Sequence, residues 1–251
     1  MAQPFLSVII PAYNEAQRIP KSFDALRRYA RSKDFSIELI IVDDGSKDAT
    51  LAILENMRAS WPGLRILRHE ITRGKGSSVR RGFLDAQGEY VLFTDADLST
   101  PIEEADQLLS LIESEHADAV IGSRALRRDL IGIHQHWLRE FGGRCFNLLM
   151  RLFTGLKIYD TQCGFKLFRR ETTRFAFELQ RVEGFGFDPE VLFLIERSGG
   201  KILEVPVRWD NDPATTVRFA RDSSRMLLEL ALLRWRVWTG KYGPVSGRKA
   251  I

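Results

Sequence analysis

Four short apolar runs in the first hundred residues each end where the chain turns acidic or glycine-rich, and a helix-length segment separates each from the next. The runs are Phe5–Ile10, Ile37–Val42, Leu64–Arg68 and Tyr90–Phe93; the segments between them are 16–31, 47–60 and 77–86. Strand and helix in regular succession predict a parallel sheet covered by helices on both faces, an α/β architecture. In such sheets ligands bind at the carboxyl ends of the strands. The loops at those ends are therefore where function is expected. They read Pro11-Ala12-Tyr13-Asn14-Glu15, Asp43-Asp44-Gly45-Ser46, Thr72-Arg73-Gly74-Lys75-Gly76 and Thr94-Asp95-Ala96-Asp97.

The last of these loops carries the most chemistry. Strand alternation points Asp95 and Asp97 the same way if the strand persists, and a turn would also let them converge. Two hard oxygen donors with no Cys or His nearby suit Mg²⁺ or Mn²⁺ holding a diphosphate. A solvated turn after a strand is the competing reading of the same three residues. Gly74-Lys75-Gly76 opens a helix, yet the third glycine of a dinucleotide fingerprint would fall at Val79, and no Walker frame fits. It reads either as a basic loop that contacts a phosphate or as a glycine turn with a solvated lysine.

Taken together, these loops resemble glycosyltransferase family 2. Val8 to Glu15 is similar to the family's opening motif, Val42 to Ser46 to its nucleotide-contacting turn, and Gly74-Lys75-Gly76 with Asp95-Ala96-Asp97 complete the donor half in the same order. The resemblance implies a GT-A fold, Rossmann-like, with a central mostly parallel sheet flanked by helices. It implies a nucleotide-sugar donor and an inverting, divalent-metal-dependent transfer. Pro11, Tyr13, Glu15, Asp43, Asp44, Lys75 and Asp95 would bind the nucleotide sugar. Asp95 and Asp97 would hold the metal, with Asp97 catalytic.

The second half of the chain narrows the acceptor. Asp160 to Phe168 is similar to the signature of dolichyl-phosphate glucosyltransferases. Val120 to Arg124, Gly186 to Glu190 and Glu204 to Val207 also resemble polyprenyl-phosphate hexosyltransferases. That resemblance implies hexose transfer from UDP-glucose to a polyprenyl or dolichyl monophosphate, with Asp160 and Arg124 at the reacting centre. A GDP-mannose-dependent mannosyltransferase acting on the same lipid is the alternative, and a transferase with a saccharide acceptor comes third. Many relatives carry Gly-Ser-Lys-Val after the last strand; here Ala214-Thr215-Thr216-Val217 stands there, with the basic residue at Arg218.

Residue chemistry leads the same way. Arg124, Arg127, Arg128, Arg139 and Arg144 crowd one segment, and the planar guanidinium fork suits phosphate oxygens. The apolar stretch Cys145 to Phe153 follows, so a cationic pocket would lie beside a surface fit for hydrocarbon. A solvated basic face before a core helix is the bland counterpart. Residues 123–160 are thus expected to bind the acceptor, its phosphate on Arg124, Arg139, Arg144 and Arg218. A phosphate monoester is largely ionised at pH 7, so Asp160 is expected to matter less as a general base than such an acid does when the nucleophile is a hydroxyl. Orienting the sugar, or an arginine, is its expected work, and Asp188 is expected to play a structural part near the acceptor. His134 and His136 lack a third ligand at useful spacing, and Cys163 reads as a small buried residue.

Composition bounds the rest. The 251 residues hold room for one large α/β domain, and with no repeat or linker they read as one domain over 1–251. Two cysteines give no disulfide framework. Phe5–Ile10 is too short for a secretory signal, and no run reaches the ~18 apolar residues of a membrane span. These features predict a cytoplasmic protein. The net charge of +4 suits an anionic partner. Nucleic acid is disfavoured, because carboxylates at three strand ends would repel its backbone and no recognition motif is present. Intact Asp95 and Asp97 argue against a silent scaffold. Residues 214–242 read as a helix that docks on the cytoplasmic face of a membrane, with Trp235, Trp238 and Tyr242 as interfacial anchors, or as a final helix packed on the core. An integral-membrane partner could supply the anchor instead.

Overall fold

The computed structural model describes residues 3–61, 63–133, 150–151, 153–210 and 219–242. Arg139, Arg144, Arg218, His134, His136, Cys145 to Leu149 and Ala214 to Val217 lie outside them, as do the side chains of Arg128, Ile133, 219–227 and 230.

The alternation read from the sequence is present. Strand β1 (Leu6–Ala12) leads to helix α1 (Ile19–Arg31), β2 (Ile37–Asp43) to α2 (Thr50–Arg58), β3 (Leu64–Arg68) to α3 (Lys75–Asp85), and β4 (Tyr90–Thr94) to α4 (Ala105–Ser114). Then come β5 (Ala119–Ser123), β6 (Ile131–Ile133), β7 (Phe165–Arg169), α5 (Arg170–Leu179), α6 (Phe187–Arg197), β8 (Ile202–Pro206), β9 (Trp209–Asp210) and α7 (Phe219–Trp238). Seven strands form one sheet in the order β3-β2-β1-β4-β7-β5-β8, and β6 pairs with β9 separately. Strand β7 runs antiparallel to both its neighbours, β4 and β5; the other pairs in the large sheet are parallel.

The apolar runs become central strands because both faces are covered. On one face α1 buries Ile19, Ser22, Phe23, Leu26 and Tyr29, a helical stripe. Its last turn carries Arg28 and Arg31, which oppose the negative end of the helix dipole. The opposite face holds α3, α5 and α6, where the Phe83 and Phe177 rings stack with centroids 3.6 Å apart and Phe168 meets both edge-on. Pro11 is tolerated in a central strand because it lies beyond the β1–β4 pairing, which ends at Ile9 and Phe93.

Register aligns a second set of residues. Phe93 pairs with Lys166, Lys166 with Ile121, and Ile121 with Glu204. A lysine and a glutamate thus sit on one rung across the interior of the sheet, close to its carboxyl edge.

Candidate active site

The carboxyl ends of β1, β2 and β4 bring the donor-half residues together. Three of the acids there, Asp43, Asp44 and Asp97, are aimed by backbone N–H groups. Asp44 is buried and accepts from the amides of Arg73 at 2.9 Å and Gly74 at 2.8 Å, while His69 Nδ1 lies 2.8 Å from its Oδ1. These bonds tie the β2 turn to the glycine loop. Gly74 is required there: its φ is +118°, and an added Cβ would meet the Glu183 carbonyl oxygen at 2.5 Å. Asp43 is fully buried; Oδ1 accepts from the Ser46 amide at 3.1 Å, and Arg68 Nε is 3.5 Å from Oδ2.

The Asp95-Ala96-Asp97 turn is pinned from three sides. The Ser22 hydroxyl donates to the Ala96 carbonyl at 2.6 Å, the Ser99 amide to Asp97 Oδ1 at 2.9 Å, and the Asp95 amide to the Gly164 carbonyl at 3.2 Å. A side chain at Gly164 would collide with the Asp95 carboxylate, so glycine there lets β7 approach the turn. Lys75 Nζ pairs with Asp95 at 2.7 Å, and Arg18 Nη1 is 3.6 Å from Asp97. Burial, then the like charge of Asp95, raises the Asp97 pKa above its ordinary value. Burial alone would lower the Lys75 ammonium; Asp95, then Asp188, outweigh it and hold its pKa above that of ordinary lysine. Glu15 is buried and forms a bidentate pair with Arg18 at 2.5 Å; burial outweighs that pair and raises its pKa. Tyr13 is exposed at the rim.

The acceptor half is held differently. Asp160 is buried and takes both arms of Arg124, Nε at 2.7 Å and Nη2 at 2.8 Å, and the Arg124 amide at 3.0 Å. Burial alone would raise this carboxyl; the Arg124 guanidinium outweighs it and holds the pKa below the usual range. The Arg124 guanidinium also lies 5.4 Å from the centroid of the Trp209 ring. Glu204 supports the pair from below, accepting the amides of Tyr159 and Asp160, each at 2.8 Å. Lys166 is buried against Asp188 at 2.5 Å and donates to the Cys163 carbonyl. The Cys163 thiol is pushed up to about 12 by burial and then by Asp160, which makes it a poor nucleophile.

The profile of glycosyl transferase family 2 matches residues 7–175. The chain belongs to this family. A dolichyl-phosphate beta-glucosyltransferase of Trichomonas vaginalis is 38% identical over 83% of this chain and 67% of its own length. One from Saccharomyces cerevisiae is 34% identical over 95% of this chain and 76% of its own. Among solved structures, mannosyl-3-phosphoglycerate synthase from Rubrobacter xylanophilus superposes with a TM-score of 0.68 at 18% identity, covering 95% of this chain and 75% of that one. Glucosyl-3-phosphoglycerate synthase from Mycobacterium tuberculosis, in complex with Mn²⁺, UDP and glucosyl-3-phosphoglycerate, gives 0.64 at 22% identity, over 92% and 80%. The fold is therefore the GT-A fold expected from the sequence.

Within this family frame, the structure gives roles to residues that the sequence left without one, Lys166 and Glu204 having appeared only inside longer motifs. Arg18, His69, Lys166, Glu204 and Trp209 all touch an expected site residue. Of these, Lys166 left a legible trace. A lysine flanked by Phe165, Leu167 and Phe168 in a short strand must bury its charge, and a buried charge needs a partner. One expectation is corrected. Tyr242 is no surface anchor: it is buried and donates its hydroxyl to Glu190 of α6. Arg127, in the basic segment, is exposed and paired with Asp129 at 2.6 Å.

Proposed function

We propose that this chain transfers glucose from UDP-glucose to a polyprenyl or dolichyl monophosphate. The observation that carries the acceptor is the state of Asp160. A hydroxyl acceptor needs a carboxylate free to take its proton. Here both oxygens of the carboxylate are spent on Arg124, and its depressed pKa makes it a weak base. An acceptor that arrives already ionised, such as a phosphate monoester, has no such need. The names and identities of the relatives favour the same lipid phosphate and glucose as the sugar.

In this reading an acceptor phosphate oxygen forms the bond to C1 of the sugar, and the C1–oxygen bond to the nucleoside diphosphate breaks. Inversion follows from a single displacement. Arg124 orients the acceptor and screens its charge, with Asp160 holding the guanidinium in place. Lys75 faces the diphosphate. Pro11, Tyr13, Glu15, Asp43 and Asp44 line the nucleotide side.

Asp95 and Asp97 fit a hard divalent cation, Mg²⁺ or Mn²⁺. They are two crowded carboxylates whose mutual repulsion helps raise the Asp97 pKa. Among the described residues no cluster of three or more His, Cys, Asp or Glu could cage a metal. Water and diphosphate oxygens would complete the shell, as is usual for Mg²⁺. Bound there, the cation would neutralise charge growing on the leaving diphosphate. We also place the protein at the cytoplasmic face of a membrane, in contact through α7. Among the described residues no helix is long and apolar enough to cross one.

A thermal-shift panel of UDP, GDP and CDP with Mn²⁺, followed by transfer to polyprenyl phosphate, tests the reading. UDP should stabilise the protein, since a ligand that binds only the native state adds RT ln(1 + [L]/Kd). Stabilisation by GDP alone would give the donor to the mannosyl reading. Transfer to a saccharide but not to the lipid phosphate would remove the acceptor assignment.

A further inference from the structure

A cavity of about 500 Å³ lies between α3, the turn at 180–183 and the end of α7, and it shares with the donor side only Arg73, whose amide holds Asp44. Arg73, Arg80, Arg181, Arg236 and Lys241 line it, with Glu183 as the one carboxylate among the described lining residues. Arg80 and Arg181 donate to backbone carbonyls, of Phe177 at 2.8 Å and Lys241 at 3.4 Å, and neither is ion-paired among the described residues. Lys241 Nζ sits 4.0 Å from the centroid of the Trp235 ring. Arg236 acts electrostatically on Tyr242 and Glu190.

Continuous with the cavity, α7 exposes Leu228, Leu232, Trp235 and Trp238, the last 85% exposed. Their spacing of four, three and three places them on one face. Leu232 and Trp235 belong to both features. A cationic cavity whose wall continues as an exposed stripe of leucine and tryptophan matches a ligand with an anionic head and a hydrocarbon body. Nucleic acid would use the charge and leave the stripe in water. A second copy of this chain, with the same positive charge, would be repelled.

We propose that this cavity binds the phosphate of an anionic bilayer lipid and so seats α7 on the membrane surface, an inference that rests on the reading of a lipid-phosphate acceptor. The test is co-sedimentation of the full chain with phosphatidylcholine vesicles, with and without phosphatidylglycerol and free of polyprenyl phosphate. Wild type should pellet with the anionic vesicles. Arg181→Gln/Lys241→Gln should bind them roughly thirtyfold more weakly, about fivefold per cation lost at an anionic surface. Arg28→Gln/Arg31→Gln removes the same charge from α1, on the other face of the sheet, and should bind nearly as wild type does. Loss of binding by that control to the same degree would show diffuse attraction and overturn the site. Equal pelleting with neutral and anionic vesicles would overturn it too, as would full displacement by dilute glycerol phosphate, which would assign the cavity to a soluble phosphate. The double variant should keep its turnover on a short-chain polyprenyl phosphate in detergent; lost turnover with intact vesicle binding would move the cavity into the catalytic machinery. Wild type that pellets but transfers no sugar would sink the acceptor reading and leave the lipid site supported.

Discussion

The donor and acceptor halves both bury carboxylates at the carboxyl edge of one sheet, but they neutralise them differently. Asp43, Asp44 and Asp97 are held chiefly by main-chain amides of Ser46, Arg73, Gly74 and Ser99, with His69 on Asp44 and the nearest guanidinium groups, Arg68 and Arg18, at 3.5 and 3.6 Å from Asp43 and Asp97. Amides aim a carboxylate and leave its charge in place. Asp160 and Asp188 are instead each spent on a cationic side chain, Arg124 and Lys166. The first arrangement leaves a negative cluster that a divalent ion and its diphosphate can complete. The second sets a full positive charge against each of these two carboxylates where an anionic acceptor would have to approach. Lys75 joins the two, paired with Asp95 and interacting with Asp188.

The sharpest way to break this comparison is to remove a cation from the acceptor half. Lys166 is 1% exposed and Asp188 4%. Lys166→Ala leaves a buried carboxylate without its partner and is expected to cost about 3–5 kcal/mol in urea unfolding. Replacing both partners, as Lys166→Met/Asp188→Leu, should return most of that stability, because apolar groups of similar volume carry no desolvation penalty. A loss below about 1 kcal/mol in the single variant would mean that Asp188 simply protonates or finds water.

The donor half should answer in activity and not in stability. Asp97→Asn keeps the shape and removes an anionic donor, so kcat should fall on the order of 10²-fold or more. The sign for stability is the opposite of the usual carboxylate case. A carboxyl whose folded pKa is raised costs stability as pH rises through that value. At neutral pH the metal-free variant should therefore melt no lower than wild type, and stabilisation by UDP with Mn²⁺ should shrink. Near-normal transfer by Asp97→Asn without added metal would refute the metal reading.

The contrast between the halves also decides what could be read from the sequence. The donor half was legible because each functional loop follows its own strand, and local order fixes which residues share an edge. Strands β1 to β4 and the loops after them fall where the apolar runs ended. In the acceptor half the partners come from far apart: Arg124 with Asp160, Lys166 with Asp188, and Glu204 with the Asp160 amide. No local period encodes such pairs. The antiparallel insertion of β7 between β4 and β5 was hidden for the same reason, since strand direction is a tertiary choice. Glu229 shows the cost of reading a helix alone. By helical period it falls with Asp222, Arg225 and Arg236, yet it accepts the Gly186 amide at 3.0 Å, and added Cβ atoms at Gly184 and Gly186 would collide with it.

Within the acceptor half, the two members of one ion pair should not be equal. Arg124→Ala removes the group proposed to hold the acceptor, and a charge-assisted hydrogen bond of about 1.5–3 kcal/mol corresponds to roughly tenfold to hundredfold in kcat/KM for the lipid phosphate. Asp160→Asn keeps a carbonyl oxygen for the guanidinium and should cost less. The reverse order, measured on the same acceptor, would return the leading role to the carboxylate.

The smallest expected effect is the most discriminating one, because it separates a base from a clamp. Asp160 has a folded pKa held down by Arg124 after burial is overcome. A depressed carboxyl stabilises the fold at every pH above its unfolded value of about 3.9, and that contribution is lost as pH falls through the folded value. Asp160→Asn should therefore flatten the acid limb of stability below pH 4 and leave the region from 6 to 9 unaltered in slope. The rate profile belongs to a different group. If the acceptor phosphate is the nucleophile, the acidic limb of kcat/KM lies near its second pKa of about 6 and reports the substrate. It should persist in Asp160→Asn at the same midpoint, with lower amplitude. A general base would do the opposite: its own pKa would set the limb, and removing it would abolish the limb. The Arg124 clamp places that pKa on the wrong side of the usual carboxylate range to act near pH 6. A limb that disappears with Asp160→Asn, together with a larger rate loss than Arg124→Ala, would show that the pair opens during turnover and that Asp160 takes the proton.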